Sequence, residues 1–386
     1  MTPQARVAAA IDVLDAILHG DPAEKTLTNW ARKNRYAGSK DRAAVRDLVF
    51  DALRQKRSAA HQGKAMTGRG LMIGLLRLSG TDPAEMFTGQ RYAPPALSAE
   101  EAEDPDPLEQ ADAGIRLDCP DWLFPRLRAP LGADTEACLL ALRQRAPVFL
   151  RANLAKTTRE TAIAALAKEG IEGRGHELSA TAIEVLSNPR KVRTSKAFMG
   201  GLVELQDAAS QAVVDRLVET VPTGRVLDYC AGGGGKALAL AAAGLEVVAH
   251  DSDASRMRDI PERARRAGVE IATTAAPSGL FDAVLCDAPC SGSGAWRRQP
   301  DAKWQLTAER LSDLTEVQDT ILESASRLVR AGGVLAYATC SLLSDENDAR
   351  IAAFLAQHQG WRLMSKRLFR PLDGGDGFFI ALLTHS

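Results

Sequence analysis

Helical and extended segments alternate through the second half of the chain, and this alternation constrains the fold more than any other feature. Helix-forming stretches separate apolar, strand-like runs at 225–229, 246–250, 281–286, 334–339 and 377–383. Such alternation predicts a mostly parallel sheet with helices on both faces. We therefore expect an α/β domain over residues 201–386, with ligands beyond the carboxyl ends of its strands.

The remainder of the chain divides into three parts of different composition. Residues 1–93 show helical periodicity and are expected to form an all-helical domain. Residues 94–118 are rich in Pro, Ala and acids, which predicts an acidic linker or mobile loop. Residues 119–200 combine strand-like runs at 148–153 and 182–186 with a helix, which predicts a small α+β module.

The composition excludes several classes of protein. A net charge of −1 argues against indiscriminate coating of nucleic acid, and 5% aromatic residues are too few for stacking platforms. The six cysteines form no C-x-x-C pair and do not cluster with histidines, so neither a metal site nor a disulfide framework is predicted. With no apolar run of membrane-spanning length and no signal-peptide core, we expect a cytoplasmic protein without membrane contact. We also expect a monomer.

Two groups of basic residues are candidates for contact with nucleic acid. Arg190, Lys191, Arg193 and Lys196 form a basic loop in the α+β module. The other group lies in the helical domain and comprises Arg32, Lys33, Arg35, Lys40, Arg42, Arg46, Arg54, Lys56 and Arg57. Either group is explained equally well by a solvated surface or by an RNA-binding one.

A glycine-rich loop follows the first strand of the α/β domain. It has the sequence Cys230-Ala231-Gly232-Gly233-Gly234-Gly235-Lys236 and leads directly into a helix. Glycines let backbone amides approach a ligand, and the N-terminus of a helix favours negative charge. The loop fits a loose dinucleotide pattern, so by itself it permits NAD or another adenosine ligand.

An acid follows the second strand of the same domain. Asp251 lies 19 residues beyond Gly232, where a carboxylate can accept both ribose hydroxyls of an adenosine. The competing interpretation is an N-cap for the next helix, a role that Ser252 or Asp253 could equally perform. We favour ribose binding.

Two cysteines follow the next two strands. Cys290 lies in the loop Asp287-Ala288-Pro289-Cys290-Ser291-Gly292-Ser293-Gly294, and Cys340 follows the later strand, so both thiols should reach one crevice. Taken alone the first loop could be a surface turn, and a single cysteine is more often a small buried hydrophobe. A thiolate that adds to carbon 6 of a cytosine activates carbon 5 for methylation, and a second acid–base group must then remove the proton there. Hydride transfer needs no such pair.

These motifs together resemble the RsmB/NOP (Sun) family of S-adenosylmethionine-dependent RNA cytosine-5 methyltransferases. The first 93 residues resemble the NusB-like domain of bacterial RsmB-type members, and residues 119–200 resemble their RNA-binding module. The shared motifs in the α/β domain are Gly201 to Asp207, the glycine-rich loop, the Asp287 loop, Arg297-Arg298, Lys303-Trp304, Tyr337-Ala338-Thr339-Cys340-Ser341, Glu346-Asn347 and Gly375 to Phe379.

The resemblance implies a Rossmann-like class I methyltransferase fold, S-adenosylmethionine as the cofactor and RNA as the substrate. Because its bacterial members act on 16S ribosomal RNA, we expect that substrate first and transfer RNA second. The alternative class of protein is a ribosome-assembly factor that binds RNA without catalysis. By the same resemblance Cys340 is the nucleophile, Cys290 assists release of the methylated base, and Asp287 and Lys236 contact the cytosine.

The sequence departs from the family pattern at two places. Gly232 and Gly233 replace the usual Ala-Pro of the glycine-rich loop. The acid that usually follows the third strand and reaches the adenine is missing, and we assign its place to Thr274. The expected cofactor-binding residues are therefore Cys230 to Lys236, Asp251, Thr274 and Asp287.

Overall fold

The computed structural model describes residues 1–385, which form two compact units. The first unit consists of Met1–Arg145 together with Trp296–Gln305. The second consists of Ala146–Ala295 and the chain from Leu306 onward. The chain thus passes from one unit to the other near residue 145, whereas the sequence suggested boundaries at 93, 118 and 200.

The part of the first unit before residue 146 is built from helices around one apolar core. The predicted set behaves as expected, since Val7, Leu14, Val45 and Leu53 are buried and Ile11 packs against them. Thr2 caps the first helix by accepting a hydrogen bond from the Ala5 N–H. The helices are α1 Pro3–Leu18, α2 Ala23–Lys33, α3 Ser39–Arg54, α4 Lys56–Gln62, α5 Gly68–Leu78, α6 Ala99–Ala102, α7 Ala113–Arg116, α8 Phe124–Leu131 and α9 Thr135–Arg143.

The acidic segment 94–118 is folded onto these helices. Arg69 of α5 pairs with the Glu101 carboxylate at 2.7 Å, and this hydrogen bond lowers the pKa of Glu101 to about 2. Arg77 of α5 donates to the Glu101 and Glu103 carbonyls at 2.5 and 2.9 Å. The acidic composition alone suggested a linker or mobile loop. Arginines of α5 neutralise the acids and hold the segment in place.

A four-stranded antiparallel sheet opens the second unit, where the sequence predicted an α+β module. Both predicted strands and the predicted helix, which Thr158 caps, are present. Leu150, Ile183 and Leu166 form the centre of its core. In spatial order the strands are β2 Gly173–Gly175, β3 Ala182–Val185, β1 Val148–Ala152 and β4 Val203–Leu205, and the helices are α10 Arg159–Lys168 and α11 Lys196–Met199.

The rest of the second unit is built on a seven-stranded sheet, which confirms the predicted α/β fold. Its first five strands in the chain pair in parallel, β11 pairs antiparallel with β9, and β10 pairs antiparallel with β11. The spatial order is β10-β11-β9-β8-β5-β6-β7. The strands are β5 Arg225–Asp228, β6 Glu246–His250, β7 Ile271–Thr274, β8 Phe281–Asp287, β9 Val329–Thr339, β10 Trp361–Phe369 and β11 Phe378–His385.

Helices cover both faces of this sheet, and alternate strand residues point to opposite sides. Val226 and Leu285 join one core cluster, whereas Leu227 and Val284 join the other. The predicted helix at 254–267 is divided into a 3-10 turn at Ala254–Met257 and a helix with Pro261 in its first turn. The helices of this part of the second unit are α12 Ala208–Thr220, α13 Gly235–Ala242, α14 Ile260–Ala267, α16 Ala308–Ser326 and α17 Asp348–Gln357, and α15 Pro300–Gln305 precedes α16 in the chain.

Helix α15 belongs to the first unit although it lies between β8 and β9 in the chain. Trp304 donates its indole N–H to the Leu53 carbonyl at 2.7 Å, and Arg54 donates to the Arg297 carbonyl at the same distance. Lys303 donates to the Asp118 carbonyl at 2.6 Å, and burial lowers the pKa of this ammonium to about 8. The family motifs at 297–304 therefore serve as an anchor within the helical unit.

Seven of the nine basic residues that the sequence singled out in the helical domain fall into two sets. Arg46, Arg54 and Arg57 form ion pairs with Glu24, Asp51 and Asp121. By contrast, Arg32, Lys33, Arg35 and Lys40 are exposed. Part of this basic field is thus structural, while the four exposed cations agree with either interpretation of the surface.

Asp118 is a buried acceptor that connects three parts of the first unit. Its carboxylate accepts the Arg57 and Ser58 N–H groups at 2.8 and 2.9 Å and the Ser58 hydroxyl at 2.7 Å, and it pairs with Arg143 at 3.1 Å. The segment that contains it is thereby fixed to α4 and α9.

We expect Asp118→Asn to lower the free energy of unfolding by about 3 kcal/mol, because the amide turns a donor toward groups that already donate. Asparagine tolerates the left-handed backbone at this position, where φ is 52°. Urea denaturation measures the change, with the exposed Asp104→Asn as the control, expected within about 0.5 kcal/mol of wild type. Equal stability of the two variants would contradict the assigned role of Asp118.

Candidate active site

The thiols of Cys290 and Cys340 lie together at the carboxyl edge of the seven-stranded sheet. Their sulfur atoms are 3.4 Å apart, and both side chains are partly exposed. The neighbouring parallel strands β8 and β9 pair Asp287 with Ala338, so the loops that follow leave the sheet side by side. The structure thus brings together two cysteines that are 50 residues apart in the chain.

A close approach of two glycines holds the Cys290 loop against the β9 loop. Gly294 donates its N–H to the Cys340 carbonyl at 2.9 Å, and its own carbonyl accepts the Gly377 N–H at 2.9 Å. A Cβ atom at Gly294 would lie 2.1 Å from the Gly377 carbonyl oxygen, so only glycine fits. This contact explains the glycine at position 294.

The thiol of Cys290 is strongly disposed to keep its proton. Its hydrogen bond to Cys340 and its burial both raise its pKa well above the ordinary value, and the Glu346 carboxylate contributes in the same direction. The Gly292 N–H opposes these effects and is too weak to reverse them. A protonated Cys290 can donate its hydrogen to the Cys340 sulfur.

Lys236 and Asp287 form a partly buried ion pair near the thiols. The ammonium lies 2.5 Å from the Asp287 carboxylate and 4.7 Å above the Phe378 ring. Burial disfavours the charge on Lys236, yet the Asp287 and Asp228 carboxylates outweigh it and raise the pKa of the ammonium. A protonated lysine is therefore fixed in the first turn of α13, within hydrogen-bonding distance of Asp287.

The glycine-rich loop turns sharply between β5 and α13. Gly232 and Gly234 have φ angles of 51° and 80°, in the left-handed region that favours glycine. Gly232 donates its N–H to the Asp251 carboxylate at 2.8 Å, and Arg263 donates to the Gly233 carbonyl. The Asp251 carboxylate, directly after β6, and the Arg263 side chain of α14 therefore hold this loop in place.

The Asp251 carboxylate organises the turn that follows β6. Besides the Gly232 N–H, its carboxylate accepts the Asp253 N–H at 3.0 Å and pairs with Arg256 at 3.1 Å. Asp253 caps the following 3-10 turn by accepting the Ser255 N–H. Asp251 thus organises the loop in this structure, and its proposed contact with a ribose is additional.

A cavity of about 740 Å³ lies beside these groups. Of the predicted residues, Cys230, Asp251, Asp287, Cys290 and Cys340 line it. Sequence reasoning missed other lining residues. Tyr229 and His250 directly precede the predicted Cys230 and Asp251 in the chain, whereas the others are more distant; these are Arg256, with Asp313, Glu316, Val317 and Thr320 of α16.

Several predicted residues do not contribute to the lining of this cavity. Ala231, Gly232 to Gly235 and Lys236 shape the loop and the ion pair behind it. Thr274 ends β7, its hydroxyl exchanges hydrogen bonds with the backbone of Ala276, and its carbonyl contacts the His250 ring at 3.1 Å. An adenine contact by Thr274 therefore remains a prediction.

Among residues 1–385, no three His, Cys, Asp or Glu side chains are grouped so that they could hold a metal ion. No helix in the described part of the chain is long and apolar enough to cross a membrane.

Solved structures identify the class of fold. The chain superimposes on PH0851 with a TM-score of 0.76 and 22% identity, over 100% of this chain and 99% of that one. A methyltransferase homolog protein from Pyrococcus horikoshii gives a TM-score of 0.62 with 23% identity, over 71% and 97% of the two chains. The fold is that of the Rossmann-like methyltransferases.

Sequence comparison then identifies the family. Residues 216–384 match the family described as 16S rRNA methyltransferase RsmB/F, and residues 119–193 match the ferredoxin-like domain of RsmF/B-like methyltransferases. Ribosomal RNA small subunit methyltransferase B of Photorhabdus laumondii is 32% identical over 284 residues, and that of Yersinia pseudotuberculosis 35% over 282. These matches assign the domains at 119–193 and 216–384 to the RsmB/F family. These alignments cover 69% and 68% of this chain and 66% and 65% of the relatives, so they span just under two thirds of each relative.

The buried Asp228 carboxyl at the end of β5 makes the stability of the fold depend on pH. Burial raises the pKa of this carboxyl from 3.8 to about 7; Lys236 opposes the shift and Asp287 adds to it. The pKa of Asp228 is higher in the folded than in the unfolded chain. The contribution of this group to the free energy of unfolding is therefore complete below pH 3.8 and is lost as the pH rises through about 7.

We expect Asp228→Asn to gain stability relative to wild type as the pH rises from about 4 to about 8, since the amide cannot ionise. Urea denaturation across this pH range measures the difference. The exposed Asp259→Asn is the control and should follow the wild-type profile. Parallel profiles for wild type and Asp228→Asn would contradict the raised pKa.

Proposed function

We propose that this protein uses S-adenosylmethionine to methylate carbon 5 of a cytosine in 16S ribosomal RNA. The observation that carries this proposal is the 3.4 Å separation of the Cys290 and Cys340 sulfurs at the wall of a cavity that Asp251 also lines. Assignment of two domains of this chain to the RsmB/F family supports RNA as the substrate, and the relatives named above are ribosomal RNA methyltransferases.

The cavity suits the proposed cofactor in size and chemistry. Its volume of about 740 Å³ lies within the range of small-molecule sites. Asp251 would accept the ribose hydroxyls, the glycine-rich loop would approach the amino-acid part of the cofactor, and Tyr229 and His250 provide an aromatic wall, with ring centroids 5.0 Å apart. When bound, the cofactor supplies an electrophilic methyl group.

Cys340 is the proposed nucleophile of the reaction. Its thiolate adds to carbon 6 of the cytosine, which forms a carbon–sulfur bond and makes carbon 5 electron-rich enough to accept the methyl group. A base then removes the proton from carbon 5, the carbon–sulfur bond breaks, and the ring double bond returns. The free thiolate of Cys340 is thereby regenerated.

Cys290 fits the role of the partner thiol. Because its pKa is raised, it holds a proton that it can share with the Cys340 sulfur, which stabilises negative charge there. Lys236 and Asp287 lie close by as a preformed pair of donor and acceptor for the amide edge of the base. These are the same four residues that the resemblance assigned.

We expect Cys340→Ala to abolish methylation, because no carbon–sulfur bond can form. Cys290→Ala should retain the addition step and lose efficient release, so that the enzyme remains covalently attached to its RNA. Methyl transfer from labelled cofactor measures the first effect, and denaturing electrophoresis of the enzyme–RNA adduct measures the second.

Cys138→Ala serves as the control for both variants. Cys138 is buried in α9 of the first unit and should support wild-type methylation and release. A stable adduct in the Cys340 variant, with none in the Cys290 variant, would reverse the two assignments.

We expect bisulfite sequencing of total RNA from cells that lack this protein to show one 16S cytosine that has lost protection. Expression of the wild-type chain should restore protection, and expression of Cys340→Ala should not. Loss of protection in a transfer RNA would change the substrate, and unchanged protection in all RNA would contradict the proposed activity.

A further inference from the structure

Glu346 is a fully buried carboxylate between β9 and α17 that the proposed chemistry does not use. One oxygen accepts the Ser291 N–H at 2.7 Å and the Gln318 side-chain amide at 3.1 Å. The other oxygen accepts the hydroxyls of Ser291 and Ser341. Each oxygen of this carboxylate therefore receives two hydrogen bonds.

The two serines are the residues that directly follow the paired cysteines. Ser291 comes after Cys290 in the β8 loop, and Ser341 comes after Cys340 in the β9 loop. The two serine hydroxyls are themselves 3.4 Å apart. A single carboxylate therefore connects both loops that carry the thiols, immediately beside the sulfur-bearing residues.

Glu346 is itself held firmly by β9. Its backbone carbonyl accepts the Tyr337 hydroxyl at 2.7 Å. The next residue, Asn347, accepts the Thr339 hydroxyl at 2.5 Å and donates to the Ser341 carbonyl at 2.8 Å. The carboxylate cannot shift without disturbing the end of the strand that precedes Cys340.

The groups around the Glu346 side chain require a hydrogen-bond acceptor at this position. All four groups that face the Glu346 side chain are donors, and an ionised carboxylate is the side chain that accepts without donating. The Ser341 hydroxyl donates its hydrogen to Glu346 and accepts the Leu343 N–H at 3.0 Å. An amide at this position would present a donor to two hydroxyls that now donate.

We propose that Glu346 is a positioning residue that sets the separation of the Cys290 and Cys340 thiols by binding both of their loops at once. Its effect on methylation rests on the proposed function, whereas its effect on the distance between the sulfurs does not. Removing the link on one side should let the two loops move apart while the fold and the cavity persist.

Phenylarsine oxide tests the separation of the thiols directly. Its trivalent arsenic forms two arsenic–sulfur bonds with neighbouring thiols, and the two thiol protons leave with the oxide oxygen as water. The affinity of this reagent therefore reports whether two sulfurs are held together. Binding to Cys340→Ala is subtracted as the background from the other cysteines.

We expect Glu346→Gln and Ser341→Ala each to weaken capture of the arsenical by about tenfold, because each loses hydrogen bonds to a charged group. The matched controls Glu323→Gln and Ser312→Ala change exposed or partly exposed residues of α16 and should bind like wild type. Circular dichroism should show that all four variants are folded, and Ser341→Ala, the smaller change, keeps the test valid if Glu346→Gln does not fold.

Capture by both test variants at the wild-type level would overturn the proposal, and so would a failure of the wild-type protein to bind the arsenical. In methylation assays the two variants should lose about tenfold in kcat, with KM for RNA and the binding of S-adenosylmethionine unchanged. Weakened capture in a protein that does not methylate cytosine would leave Glu346 a positioning residue and refute the proposed function alone.

Discussion

The parallel pairing of β8 and β9 is the interaction on which the site depends. The Ala288 N–H extends this ladder beyond β8 by donating to the Ala338 carbonyl at 2.9 Å. The chain needs helices α15 and α16 to cross from one strand to the other, so nothing local brings the two loops together. The register of the ladder makes the Cys290 and Cys340 loops leave the sheet side by side. A shift of one residue would turn their neighbours to the other face of the sheet.

Two buried carboxylates hold together segments that are far apart in the chain. Asp118 and Glu346 each receive donors from segments that are distant in the chain. Burying such a charge is unfavourable unless its partners are in place, so each carboxylate favours one arrangement of its surroundings. In the helical unit this arrangement fixes the segment after α7, and at the active site it fixes the two thiol loops.

Features that depend on local periodicity were predicted well. The alternating strands and helices after Gln206, the capped helix after Thr158 and the amphipathic first helix all follow from patterns within one element. Strand β10 was missed because most of its residues are exposed and its sequence lacks regular alternation. It becomes a strand by pairing with β11 along eight residue pairs, which a local pattern cannot show.

The sequence alone determined the class of fold, the order of its motifs and the types of residue at the strand ends, because hydrophobic periodicity and glycine requirements act over a few residues. Tertiary structure alone decided that α15 belongs to the helical unit, that arginines of α5 fix the acidic segment, and that Glu346 connects the two cysteine loops. Those outcomes depend on which distant groups satisfy a buried charge or hydrogen bond. That choice is made only when the whole chain has packed.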